Sequence, residues 1–225
     1  MRHLHHFVLS PFCRKVRLVL SEKKLTFDLV PERPWERRAE LLALNPWGQV
    51  PVMVEESGVV IADSGAIAEY LEEIHPEPSL MPSRPAERAE VRRIAALFDQ
   101  LFFTEVSGVL LREKILKRFG WGHDGSTSPD LALIRPALDK LRRYLAYAGE
   151  LGEKRGWLAG PLSLADFAAA AHFSCIDYLG DIAWETVPEA REWYARVKSR
   201  PCFRPLLTDH LPGMPPPRHY ANLDF

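Results

Sequence analysis

Residues 3–9 (HLHHFVL) and 25–30 (LTFDLV) are short apolar runs that predict strands, and between them RKVRLVLSEKK places apolar residues at helical spacing. A polar, proline-containing segment, PERPWERR, comes next. A helix is then predicted at 39–44, and after it two strand-like runs, VPVMVEE and VVIAD, separated by the turn signal Ser57-Gly58. DSGAIAEYLEEIH reads as a helix opened by Asp63 or Ser64, both good N-caps. The predicted order over residues 1–75 is βαβαββα, an α/β layer.

The grammar then changes. Residues 75–87, HPEPSLMPSRPAE, hold four prolines in thirteen positions, which predicts a linker at 76–87. Beyond it the periodicity is helical throughout. RAEVRRIAALFDQLFFTEVSGVLLREKILKRF suggests one long or two adjacent helices, GWGHDGSTSP a loop, and LALIRPALDKLRRYLAYAGELGEKR, SLADFAAAAHFSCIDYL and EAREWYARVKS further helices. An all-α domain is predicted over 88–207, with a proline-rich tail at 208–225.

Composition bounds what such a chain does. At 225 residues and 47% apolar it can bury a substantial core. With 29 Lys and Arg against 30 Asp and Glu, the overall balance gives no reason to expect nucleic acid or an anionic membrane as partner. No apolar run reaches the ~18 residues of a membrane span, so a cytoplasmic protein without membrane insertion is expected. Cys13, Cys175 and Cys202 are scattered, which suits a reducing compartment, and neither they nor His3, His5 and His6 have metal-ligand spacing.

The candidate chemistry lies in short motifs. SPFC has the spacing of C-x-x-C with serine at the first position, which excludes dithiol exchange because no thiolate nucleophile is present there. Ser10 followed by Pro11 is also an ordinary helix start, and Cys13 one turn in reads as a small packing residue. In DSGAI, the Ser64 hydroxyl and the N–H groups of a helix start suit an anion, while Asp63 can accept from an ammonium; plain capping is the alternative. Ser163 and Asp166 in SLAD form a capping box with Asp in place of Glu, a structural device.

Three stretches invite a partner. In LLREKILKRF, Arg112, Lys114, Lys117 and Arg118 stand against one Glu113, and positions 114, 117 and 118 share a helical face that is either solvated or matched to an acidic surface. Trp35 in PERPWERR is either an interface anchor or folded back on its domain. The last 26 residues contain six prolines and end on Tyr220, Leu223, Asp224 and Phe225. Pro215 to Pro217 would hold this segment extended, its tip either docked on the fold or serving as a recognition peptide.

SPFC with RKVRLVL, NPWGQVP, DSGAI and LSLADFAAA resemble the motifs of the glutathione S-transferase superfamily, over nearly the whole chain. The resemblance implies a thioredoxin-like N-terminal domain joined to an all-helical one. It also implies a glutathione site with Ser10 hydrogen-bonded to the thiol, Val50 before a cis Pro51 pairing with the tripeptide backbone, and Asp63 and Ser64 holding its γ-glutamyl end. ERPWERR, IDYLGDIAW, WYARVKSRPCFRPLL and HYANLDF are similar to a branch of transferase-like bacterial cell-division proteins. That branch implies a non-catalytic homodimer at the division site that binds the tubulin-like protein FtsZ, alters filament curvature and bundling, and promotes constriction through the septal cell-wall synthesis machinery. An active transferase, and a glutathione-dependent isomerase or lyase, are the alternatives on the same fold.

Overall fold

The computed structural model describes residues 1–120 and 126–223. Strand β1 (His3–His6) leads into helix α1 (Pro11–Glu22), strand β2 (Asp28–Pro31), helix α2 (Ala39–Leu44), strands β3 (Val52–Val54) and β4 (Val60–Ala62), and helix α3 (Ser64–Ile74). The four strands form one mixed sheet in the order β2-β1-β3-β4, with β1 and β2 parallel and the other pairs antiparallel. The α1 crossover makes the parallel pair possible, while the Ser57-Gly58 turn, with Gly58 at φ 85°, reverses the chain between β3 and β4.

The predicted βαβαββα order is the observed one, with strands shorter than the apolar runs that announced them. Residues 7–9 leave the sheet because Ser10 N–H closes a turn onto the Phe7 carbonyl (3.0 Å) and starts α1 three residues before its apolar periodicity begins. Helix α1 lies where the sheet meets the helical half, packed against α3 and the later helix α7 (Leu164–Leu179). Its charged residues are therefore buried with its apolar ones: Arg14, Lys15 and Arg17 are 0–4% exposed.

Helix α4 (Pro85–Ala96) begins inside the expected linker, whose Leu80 and Met81 are themselves buried. It runs through a π-helical stretch, Leu97–Ser107, directly into α5 (Gly108–Lys114). By length and apolar composition this 30-residue run could cross a membrane, but core helices share that composition, and here Phe98 and Phe102 pack edge-to-face on Phe173 in the middle of the helical domain. Helix α6 (Leu131–Arg155) lies against α8 (Pro188–Lys198) at close range. A Cβ on Gly152 would sit 2.8 Å from Trp193 Cβ and one on Gly149 2.7 Å from the Ala190 nitrogen, so both glycines are required by the packing. Helix α7 (Leu164–Leu179) is buried along almost its whole length. Asp166 accepts from the Ser163 N–H (3.0 Å), the Leu158 N–H and Trp193 Nε1, so the capping box also ties α7 to α8.

The tail after α8 is not an extended arm over its described length. After the short helix α9 (Arg204–Leu207) it folds back on the molecule, with Pro217 against Gly180 and a one-turn 3₁₀ helix at Arg218–Ala221. Tyr220 is fully buried, its ring edge-on to Tyr178 at 5.2 Å. Its hydroxyl donates to the Leu206 carbonyl and accepts from Arg14.

Candidate functional site

A cavity of about 530 Å³ opens between the two halves. The α1 start, the loop before β3 and the α3 start bring Ser10, Val50, Pro51, Asp63 and Ser64 to its wall. Trp35 and Trp47 line it as well, Trp47 being 80% exposed at the rim.

Ser10 holds its position for a local reason. With extended backbone at φ −78°, ψ 119° it caps α1, accepting from the Cys13 N–H at 3.3 Å. Capping uses a lone pair, so the O–H remains able to donate to a group in the cavity, and the two readings of this serine are compatible. In the first turn Pro11 has no N–H, that of Cys13 is taken by Ser10 Oγ, and that of Arg14 goes to the Ser10 carbonyl. The Phe12 N–H is then the remaining backbone donor of that turn among the described residues. The Cys13 thiol is fully buried, and burial pushes its pKa up to about 12 against the opposing hydrogen bond from Ser10, so it is inert near neutrality.

The Val50–Pro51 bond is cis. Asn45 shapes the approach by donating from Nδ2 to the Gln49 carbonyl and accepting the Trp47 N–H, with Gly48 at φ 68° making the turn. The backbone N–H and C=O of Val50 have no partner among the described residues, which leaves them open to an extended ligand along this edge.

The α3 start differs from its expected form. Asp63, at φ 76°, is the N-cap, and its Oδ1 already accepts from the N–H groups of Gly65 (2.7 Å) and Ala66 (3.1 Å). A non-glycine residue in this region of φ is an uncommon local strain, of the kind that persists where surroundings impose it. An anion at this helix start would therefore meet the Ser64 hydroxyl and N–H rather than a row of free donors.

Trp35 folds back on the molecule and bridges the halves. It lies edge-on to Phe7 at 5.3 Å and stacks on Phe119 at 5.4 Å and 18°. The basic segment does not form the predicted face, because α5 ends at Lys114 and a 3₁₀ turn, Leu116–Phe119, redirects the chain beyond it. Lys117 is 4% exposed and pairs with the buried Glu113 at 2.7 Å, and Arg112 meets the same carboxylate at 3.3 Å. Lys114 pairs with Asp181, so Arg118 alone of the four carries no ion pair among the described residues. Tyr220 is a core residue, Leu223 is 36% exposed, and Asp224 and Phe225 lie outside the described residues.

Two buried polar networks were not legible in the sequence. In one, Arg14 and Arg17 both contact Asp209, Arg14 also donating to Ser174 and Tyr220. His6 is buried beside them; burial first, and then Arg17, lower its pKa to about 4. In the other, Ser107 Oγ lies 2.7 Å from His172 Nδ1, while Asp99 meets His172 Nε2 at 3.4 Å and pairs with Lys15. Ser107 and His172 are wholly buried under Phe12, so this Ser-His-Asp set is shut off from substrate and joins α1 to the helical domain. Partners 65 to 206 residues apart leave no local spacing to read.

The same fold recurs in known proteins. Residues 9–74 match the family described as glutathione S-transferase, N-terminal domain. FtsZ-localized protein A of Caulobacter vibrioides is 49% identical over the whole of this chain and 98% of that protein. Maleylacetoacetate isomerase of Pseudomonas aeruginosa is 28% identical over 94% of this chain and 98% of its own length. Among solved structures, a glutathione S-transferase from Rhodospirillum rubrum is 52% identical with a TM-score of 0.95, covering all of both chains. FzlA from C. crescentus is 49% identical with a TM-score of 0.94, covering 100% of this chain and 99% of that one. The chain belongs to the glutathione S-transferase superfamily, within the family that includes FtsZ-localized protein A.

Proposed function

We propose that this protein acts in bacterial cell division by docking, through its transferase fold, on FtsZ filaments at the division site, where it modulates their curvature and bundling and promotes constriction with the septal cell-wall machinery. One observation carries the reading. The similarity to a protein named for its localisation to FtsZ runs end to end at 49% identity, through the loop bearing Trp35 and the docked tail as well as the sheet. Conjugation does not define the group by fold, since one fold hosts many functions. The unit is a cytoplasmic homodimer in this account. A fluorescent fusion expressed in the native cell should form a midcell band that disperses when FtsZ is depleted; uniform fluorescence in cells with intact FtsZ rings would remove the proposal.

The second reading, an active glutathione transferase, has its own support. Ser10, Val50, Pro51, Asp63 and Ser64 share one open cavity, and a Ser10 O–H beside a helix start can stabilise a thiolate. Calorimetry with glutathione separates the two: micromolar binding together with turnover of a model electrophile that Ser10→Ala abolishes favours the enzyme.

A further inference from the structure

A second depression, of about 780 Å³, lies away from the cavity, between the end of α5, the first turns of α6 and the folded-back tail. Its floor is apolar: Ile134 and Tyr178 are buried there, and Leu131 stands 58% exposed at its edge. The tail contributes Gly213, Met214, Pro215 and Pro217 to the lining, and the two prolines, having no N–H, add mainly apolar surface. The lining also carries Lys114, Arg118 and Arg135. Lys114 is neutralised by Asp181, whereas exposed Arg118 and Arg135 have no ion pair among the described residues. An apolar trough that also carries two uncompensated guanidinium groups differs from a merely solvated basic face, which has no apolar floor, and from a dimer seam between identical copies, which would set like charges together.

We infer that this groove is a docking site for an acidic, apolar-bearing peptide segment of a partner protein, with its carboxylates on Arg118 and Arg135 and its aliphatic or aromatic side chains on Leu131, Ile134 and the prolines. The inference rests on the docking reading given above and states what the partner must present. Guanidinium forks take carboxylates bidentately, which supplies register, while the trough supplies buried apolar area. Of the basic segment singled out in the sequence, Lys114 and Arg118 remain in this surface, and Arg135, from the next long helix, joins them by folding.

The test uses a displayed library of random dodecapeptides panned against the full-length protein, followed by fluorescence polarisation of the enriched sequences. Enriched peptides should be net acidic with apolar residues interleaved, and should weaken as salt rises. The double reversal Arg118→Glu, Arg135→Glu should lower their affinity at least tenfold while keeping the parent thermal midpoint. Leu131→Asp should also weaken them, whereas reversal of the remote Arg84 should not. No enrichment, enrichment of neutral or basic peptides, or equal affinity for the double reversal overturns the groove. Filament binding is scored separately. A wild-type chain that binds FtsZ filaments as well as its double-reversed variant leaves the docking function standing and removes this surface from it; a wild-type chain that binds acidic peptides in the groove but not filaments does the reverse.

Discussion

Ser10 serves the fold whatever it does for a ligand. Ser10→Ala removes the acceptor for the Cys13 N–H and should cost about 1 kcal/mol, read as a lower midpoint in thermal or urea unfolding. Under the docking account filament binding survives that change, because it leaves the surface untouched. His6 makes a pH-dependent contribution. Its folded pKa, about 4, lies below the ordinary 6.5, so the unfolded chain takes up the proton first as pH falls. The stability associated with neutral His6 is whole above pH 6.5 and is lost progressively between 6.5 and 4, by up to about 3 kcal/mol. Denaturant midpoints measured across that window should fall, and His6→Gln should flatten the slope; an unchanged slope would show that His6 does not carry the acid sensitivity there.

Among the elements, α1 and the tail depend on each other. Asp209 contacts two buried arginines, and Tyr220 spans the gap between Arg14 and the Leu206 carbonyl. Asp209→Asn leaves two buried cations without a charged partner and should destabilise by ~3–5 kcal/mol in chemical unfolding, whereas Tyr220→Phe, which loses two hydrogen bonds but keeps the ring, should cost ~1–2 kcal/mol. Equal effects of the two would mean that the tail is held mainly by packing. The same elements show what a sequence reveals. The helices at 39–44 and after Asp63, the turn at Ser57-Gly58 and the capping box at Ser163 announce themselves through local spacing. The burial of the α1 charges has no local signal, because their partners come from α7, the π-helical stretch and the tail. Likewise Lys117 looks surface-bound until the 3₁₀ turn after α5 directs it onto Glu113, and nothing in the spacing of LFDQLFFTEVS marks a π-helical stretch.

At the scale of the molecule, one hydrophobic core runs from Leu4 and Val16 of the sheet half through Phe98, Phe102 and Phe173 to Trp193, so the two halves should unfold together in one cooperative step. Such a body keeps its transferase cavity whether or not chemistry occurs there, and its surfaces are free to take other work. The cavity and the basic apolar groove are separate places, which allows ligand binding and partner docking to be varied independently. The docking claim meets its most direct test in co-sedimentation of the purified full-length chain with FtsZ filaments assembled with GTP from the same organism. The account predicts saturable pelleting that Ser10→Ala leaves unchanged and that excess glutathione does not displace; a chain that stays in the supernatant while filaments pellet would contradict it.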